Sequence, residues 1–287
     1  MFKVAILLPL FNGQKFLSEQ ISSIACQSDV LFRIFISDDG SNDNSIHIAE
    51  KFSHMVTIIP RPLPCNSAGL SFLQLIHDVD FNGYDFVAFS DQDDIWLPRK
   101  LKRAVDMLEK HSADGYSAND IAFWPDGRCV TSIKSLPQKK YDHYFESIGR
   151  GCSYVIRSSA LQQFKDEVLV KGIPRVNHLM HDWLIYAYCR ERNLKWFADD
   201  YIALLYRQHF NNVLGVNHGF KGIFARFKLI RSGWYREEIS NIFNITKPAY
   251  DVTDVLSKSW ILKNFNNTRR SFSHRLFLLI YVLVFKF

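Results

Sequence analysis

Up to about His111, short β-branched or apolar runs alternate with stretches whose apolar residues recur at helical spacing. That alternation is the signature of β-α-β units and a mostly parallel sheet, because each buried strand needs a crossover helix to cover it. The pattern predicts strands at Lys3–Leu8, Phe32–Ser37, Val56–Ile59 and Phe86–Ser90, with helices at Phe16–Gln27, Ser45–Phe52 and Leu70–His77. Pro98 has the place of a first-turn proline and opens a further helix through about His111. From Tyr116 to about Gln208 the pattern turns mixed: a strand at Ser153–Arg157, a helix from Trp183 to about Arg192, and a strand near Tyr201–Tyr206. The first half therefore reads as an α/β nucleotide-binding layout, and no internal repeat or low-complexity linker interrupts the chain.

Composition narrows this picture. With 287 residues, 47% hydrophobic and 15% aromatic, the chain is excluded from the disordered and collagen-like classes. Its length allows one large domain or two small ones, with a core that needs no disulfide staples. Cys26, Cys65, Cys129, Cys152 and Cys189 are scattered and form no C-x-x-C pair, so they read as reduced, cytosolic side chains rather than a zinc or redox site. Lys3 followed by the run Val4–Phe11 lacks a small-residue cleavage site and is expected to be a buried strand, not a signal peptide. Leu276–Phe285 is apolar throughout, but its ten residues fall short of the roughly 17–25 that a spanning helix needs. It could lie on a membrane but not cross one.

Charge is unevenly divided. Residues 220–287 carry 12 Lys+Arg against 4 Asp+Glu, leaving 23 against 25 of the chain's 35 and 29 for residues 1–219. The basic character belongs to the tail.

No G-x-G-x-x-G follows the first strand and no G-x-x-x-x-G-K-[ST] occurs, which removes support for dinucleotide redox chemistry and P-loop phosphoryl transfer. Ser90-Asp91-Gln92-Asp93-Asp94-Ile95-Trp96 directly follows the apolar run Phe86-Val87-Ala88-Phe89. Clustered carboxylates at the carboxyl end of a buried strand repel one another, and a hard divalent ion, Mn2+ or Mg2+, with substrate phosphates is the usual way to offset that. Asp91 and Asp93, two apart in extended backbone, can point the same way; the competing reading is an acidic turn whose last Asp caps the next helix. Ser37-Asp38-Asp39-Gly40-Ser41 repeats the strand-end placement, where a carboxylate can accept from a base N–H or a ribose hydroxyl, or form an ordinary Asx turn.

Taken with Pro9-Leu10-Phe11-Asn12-Gly13 and Tyr206-Arg207-Gln208-His209, these motifs in this order make residues 1–215 resemble the family 2 glycosyltransferases with the GT-A fold. Within that family the chain is similar to the bacterial rhamnosyltransferase-like branch of surface-polysaccharide (O-antigen and capsule) enzymes. The resemblance implies an inverting transferase that takes a hexose or deoxyhexose from a nucleoside-diphosphate sugar, dTDP-rhamnose or a UDP-hexose. By the same resemblance Asp39 contacts the base or ribose, and Pro9, Phe11 and Asn12 border the base. Asp93 is the metal ligand of the DxD element, Asp91 lies nearer the ribose or supports the metal, His209 closes on the metal, and Arg207 neutralises the diphosphate. Inversion by single displacement needs a carboxylate on the acceptor side. The candidate is Asp182 in His181-Asp182-Trp183, where the family more often shows Glu-Asp. Read without the family, Asp182 is an N-cap for a helix starting at Trp183, and a capping residue is also rigidly placed. His181, Asp94, Trp96 and Trp183 complete the expected acceptor side, with core packing as the alternative for both tryptophans.

Three features stay open. His178 and His181 could share a helical face as metal ligands, or be plain surface and core. Gly149-Arg150-Gly151-Cys152 could bring backbone to the diphosphate or the acceptor, or form a turn into a strand. In the tail, Phe220–Arg231 interleaves bulky apolar and basic residues without an acid, and Arg269, Arg270 and Arg275 precede the last apolar run. Such segments bind anionic membrane surfaces; the alternatives are packing on the catalytic domain or on a second subunit of a homo-oligomer. The expectation is therefore a GT-A domain, residues 1–215, and a basic amphipathic helical extension, residues 216–287, on the cytoplasmic face of a bacterial inner membrane, acting on a lipid-linked saccharide. Nucleic acid fits poorly, since the basic residues alternate with aliphatics rather than lining a polar groove. A metal-dependent nucleotidyltransferase and a non-catalytic sugar-nucleotide or glycan-binding module are the competing functions.

Overall fold

The computed structural model describes residues 1–61, 63–174, 176, 178–209 and 232–284. The basic segment Phe220–Arg231 and the last residue of the apolar run, Phe285, lie outside them.

Strand β1 (Lys3–Leu10) has both faces covered: Val4 through Leu8 are all fully buried, as a near-continuous hydrophobic strand in a parallel sheet must be. Helix α1 (Leu17–Ala25), β2 (Leu31–Asp38), α2 (Ser45–Glu50), β3 (Val56–Ile58), α3 (Ala68–Asp78), β4 (Phe86–Phe89), β5 (Ile95–Trp96) and α4 (Lys100–His111) follow in the expected alternation. β1 pairs in parallel with β2 and β4, and β2 with β3. Every strand and helix expected in this half is present, with no end moved by more than two residues.

The second half adds β6 (Gly115–Phe123), β7 (Cys129–Ser132), β8 (Val155–Arg157), α5 (Ser158–Phe164), α6 (His181–Glu191) and β9 (Trp196–Arg207). The strand order is β3-β2-β1-β4-β8-β6-β9-β5, with β7 pairing with β6. β8 is antiparallel to β4 and β6, while β6 and β9 run parallel. β6 escapes the hydrophobic pattern because Ser117, Asn119 and Asp120 are buried on it, Ser117 and Asn119 held by side-chain bonds and Asp120 paired with Arg150 through Oδ2 alone. Asn119 Oδ1 accepts from the Lys134 and Ser135 amides, at 2.6 and 3.1 Å, and Ser117 Oγ accepts from Trp196 Nε1 at 3.1 Å. Buried polar groups so paired cost little, yet they erase the alternation that marks a strand.

Alternate residues of β1 divide the core. Val4, Ile6 and Leu8 face α1 and α4, whereas Ala5 and Leu7 face α3 and α6. The described C-terminal residues join this second layer: Ile239, Ile242 and Phe243 of the helix Trp234–Thr246, Ile261 of Lys258–Lys263, and Leu278, Tyr281 and Val282 of Phe272–Val284 are all buried in it. A buried network fastens the extension further, with the Glu146 carboxylate taking Arg269 at 3.3 Å, Arg270 at 3.2 Å and the Arg270 amide at 2.6 Å. These partners hold the Glu146 carboxyl far below its usual range despite burial. No described helix is long and apolar enough to cross a membrane.

Candidate active site

The carboxyl ends of β1, β2 and β4 form one rim. Past β1, Asn12 takes a left-handed φ of 48°, donates its amide to Ser41 Oγ at 2.8 Å and accepts from the Asn42 amide at 2.9 Å. Gln92, from the loop after β4, clamps Phe11: its Oε1 accepts from the Phe11 amide and its Nε2 donates to the Phe11 carbonyl, both at 2.9 Å. Phe11 is left 54% exposed, its ring free to border a planar ligand, while Pro9 sits inside β1 opposite Ser37. Asp38 accepts from the Gly40 and Ser41 amides, which is an Asx-type turn. Asp39 is nearly buried, and both its oxygens are engaged: Oδ1 by Arg61 at 2.5 Å and the Cys65 amide at 2.6 Å, Oδ2 by the Asn66 amide at 2.9 Å. A base or ribose contact to Asp39 would share or replace one of these bonds.

At the end of β4 the three acids separate. Asp93 faces the mouth, with Oδ2 2.7 Å from His209 Nε2, although the two are 116 residues apart. Arg207 donates from Nε to the Asp93 carbonyl at 2.8 Å and from its amide to Asp94 Oδ1 at 3.1 Å, and its guanidinium pairs with Glu19. Phe16 lies under both, 5.1 Å from the His209 ring and 4.6 Å from the Arg207 guanidinium. The structure thus joins Asp93, His209 and Arg207. In this arrangement Arg207 braces the acidic loop.

Asp91 and Asp94 turn inward. Burial, and then repulsion from Asp93, pushes the Asp91 carboxyl up to about 7; burial, and then repulsion from Asp91 and Asp93, lifts Asp94 well above the usual carboxylate range. Their ligand atoms and the Cys152 sulfur lie within 4.8 Å of one another, the one such group of three among the described residues. Asp94 Oδ2 is buried without a hydrogen-bond partner. Lys100 stands beside this group, fully buried, its ammonium 3.3 Å from the centre of the Trp96 ring; burial drops its pKa to about 7. Arg150, paired with Asp120 and 4.2 Å from the Tyr206 ring, adds a second cation whose field reaches Asp91. Mutually repelling carboxylates with an imidazole at the mouth are a donor set that suits a hard divalent ion.

The residues expected on the acceptor side stand at the start of α6. Gly69 in α3 allows this: a Cβ there would sit 1.7 Å from the Leu179 carbonyl oxygen. Gly151 does the same for the 149–152 loop, since its Cβ would fall 2.4 Å from His181 Nε2 and 3.3 Å from Asp182 Cβ. Asp182 lies within the first turn of α6, which starts at His181 rather than Trp183, so it is not the N-cap. Its Oδ1 nevertheless accepts from the Trp183 amide at 2.8 Å, and burial pushes its carboxyl up to about 6. His181 stacks on Phe72 at 3.9 Å and burial drops its pKa to about 3, so it stays neutral. His178 stands apart, stacked on Trp234 and 3.9 Å from Glu237; the two histidines do not converge.

Both tryptophans expected on the acceptor side belong to the core. Trp96 is 2% exposed under Lys100, and Trp183 is 5% exposed with Nε1 donating to the His143 carbonyl at 2.8 Å, so neither ring offers a face to a sugar. Asp94 likewise points into the interior beneath Asp91 rather than toward an acceptor. Sequence reasoning missed Glu238, which is fully buried in the helix Trp234–Thr246 and accepts from the Met180 amide at 2.6 Å. Burial, with repulsion from Asp182, pushes the Glu238 carboxyl up to about 7. The one available signal was the pair Glu237-Glu238, an acidic interruption of a basic tail.

Residues 5–161 match the family described as Glycosyl transferase family 2. Over 96% of its length the chain is 38% identical to the dTDP-rhamnosyl transferase RfbG of Shigella flexneri, covering 98% of that protein. It is 26% identical to the UDP-Glc:alpha-D-GlcNAc-diphosphoundecaprenol beta-1,3-glucosyltransferase WfgD of Escherichia coli, over 56% of this chain and 62% of that one. Among solved structures, the Staphylococcus aureus TarS 1–349 complex with UDP-GlcNAc aligns with a TM-score of 0.61 at 16% identity, covering 98% of this chain and 80% of that chain. The Pyrobaculum calidifontis mannosyltransferase PcManGT, in complex with GDP-Man and Mn2+, aligns at 0.52 and 12% identity, covering 98% and 86%. The shared architecture is the GT-A fold.

Proposed function

Since this chain belongs to glycosyl transferase family 2 and is a glycosyltransferase, we propose that it transfers a deoxyhexose, rhamnose from dTDP-rhamnose, to a hydroxyl of a lipid-linked saccharide in bacterial surface-polysaccharide synthesis. A UDP-hexose is the alternative donor. The observation that carries the reading is the joining of Asp93, His209 and Arg207 at the carboxyl end of β4, next to the rim formed by Phe11, Asn12 and Asp39. The similarity to RfbG over nearly the whole chain supports the choice of sugar.

In this reading Phe11 and Asn12 border the base, and Asp39 with Arg61 fixes the wall beside it. Asp93 and His209 at the mouth, supported from behind by Asp91, would hold Mn2+ or Mg2+, which when bound supplies Lewis-acid neutralisation of the leaving diphosphate. Arg207 holds the acidic loop in register and adds positive charge on the same side. Asp182 takes the proton of the acceptor hydroxyl as that oxygen attacks the anomeric carbon from the face opposite the diphosphate, so configuration inverts. Its raised pKa suits the task, because a general base works best near the operating pH. Gly151 and neutral His181 leave Asp182 in a dry, fixed place. Residues 1–215 form the catalytic part in this reading, and residues 216–287 place it at the cytoplasmic face of the inner membrane, where lipid-linked acceptors are found.

A thermal-shift series with dTDP, UDP, GDP and CDP, each with and without Mn2+, tests the donor. A ligand that binds only the folded state raises its stability by RT ln(1 + [L]/Kd). The expected result is stabilisation by dTDP that needs Mn2+ and is lost in Asp93→Ala. Absence of any nucleotide effect would remove the donor site.

A further inference from the structure

The helix Phe272–Val284 has two unlike faces. Leu278, Tyr281 and Val282 are buried in the core layer that includes α3 and α6. Phe272, Leu276, Ile280 and Leu283 are 63%, 43%, 47% and 49% exposed. At 3.6 residues per turn those four fall within an arc of about 80°, opposite the buried three. Single exposed aliphatics need no explanation, but four large apolar side chains aligned over three turns of one helix form a continuous patch.

Cations stand at both ends of this stripe. Lys258 Nζ donates to the Leu283 carbonyl at 3.3 Å, and the Arg275 guanidinium lies 5.7 Å from the Phe272 ring. After Asp254 the sequence contains Lys258, Lys263, Arg269, Arg270, Arg275 and Lys286 and no acid. Glu146 engages Arg269 and Arg270, which leaves Lys258, Lys263 and Arg275 to set the field around the stripe. A second copy of this chain would bring the same cations face to face. An anionic lipid surface would satisfy both the stripe and the charge.

We propose that Phe272, Leu276, Ile280 and Leu283 form a docking face that inserts into the headgroup region of an anionic membrane, with Lys258, Lys263 and Arg275 contacting the lipid phosphates. This deepens the membrane reading given above for residues 216–287 and assigns it to one helix face whose other side is fixed to the catalytic core. The active site is thereby held at a set attitude to the bilayer, since Glu238 and Ile239 of the neighbouring helix touch the same layer as α6.

Flotation of the full chain tests this, using vesicles of phosphatidylglycerol and phosphatidylethanolamine in equal parts, and of phosphatidylcholine alone. The wild type is expected to float with the anionic vesicles, not the neutral ones, and to detach as salt rises. Leu276→Glu with Ile280→Glu, both at outward positions, should lower that partition at least about tenfold, and Lys258→Glu several-fold. Equal binding to both vesicle types, no binding, or unchanged binding by the double variant overturns the proposal. So does a wild-type dimer in sedimentation that the double variant dissolves, because the occupant is then a second copy. The Mn2+-dependent stabilisation by nucleotide, measured on the same samples, shows that the variants are folded. Its absence in the wild type would count against the donor site and leave the vesicle result standing.

Discussion

On the expected donor side of the site three acids come from one strand-end loop, and nitrogen-bearing side chains of the chain stand around them: His209 on Asp93, Arg207 across the loop, Lys100 and Arg150 near Asp91. On the acceptor side the two acids, Asp182 and Glu238, come from different helices, and hydrogen bonds rather than cations temper them. Asp182 accepts from the Trp183 amide, Glu238 from the Met180 amide. The first centre is built to receive charge that arrives with a ligand. The second is built to keep a carboxylate dry and therefore basic, which costs stability whenever it is ionised.

The largest expected effect separates the two centres outright. Asp182→Asn should lower transfer by about 10²–10⁴-fold, the usual worth of a general base, while leaving the Mn2+-dependent stabilisation by nucleotide intact; transfer at the normal rate would exclude Asp182 as the base. Asp93→Ala and His209→Ala should do the converse and abolish or weaken that stabilisation, with Asp93→Ala the more severe. Equal nucleotide stabilisation in all three proteins would erase the distinction between the centres.

A smaller effect concerns stability. Asp182 is raised in the fold from 3.8 to about 6, so the folded state binds its proton more tightly than the unfolded chain. Its contribution is most favourable below pH 4 and becomes a penalty as pH rises toward and past 6. That penalty is on the order of 2–3 kcal/mol, because each tenfold difference in proton affinity between the folded and unfolded chain is worth about 1.4 kcal/mol. Asp182→Asn should therefore melt at a higher temperature than the wild type at pH 7.5, with the gap narrowing toward pH 5. A lower melting temperature at both pH values would mean that the carboxylate is held by groups that compensate its burial.

The same contrast explains what could be read from the chain. The placement of Asp91, Asp93 and Asp39 was legible because β-α-β units write their strands as apolar runs, and these acids stand where the runs end. The partnership of Asp93 with His209 crosses the whole domain, and only the family resemblance reached it. Trp96 and Trp183 misled because a tryptophan beside an acidic motif has the same letter whether it faces a sugar or a core. β6 was hidden by its buried Ser117, Asn119 and Asp120, and Glu238 by a helix whose periodicity could not say which of two adjacent glutamates turns inward.

Glu238 gives the finest test of the acceptor centre. It meets Asp182 across the start of α6, and the groups around the pair are Glu237 and His178 on its own side, His181, the Tyr154 hydroxyl, Ser147 and, toward the donor, Asp91. None of these is a cation fixed on Asp182, so the charge of Glu238 disfavours ionisation of Asp182, the proposed base. Glu238→Gln keeps an oxygen for the Met180 amide and removes that charge. The acid limb of the rate profile, expected near pH 6 from Asp182, should then move to lower pH by about 0.5. The movement is limited because Glu238, at about 7, takes up its own proton before Asp182 does as pH falls. Stabilisation by nucleotide should not change. A rate lowered equally at every pH, with the midpoint unmoved, would make Glu238 a fastener of α6 and nothing more, and the basicity of Asp182 would then rest on burial alone.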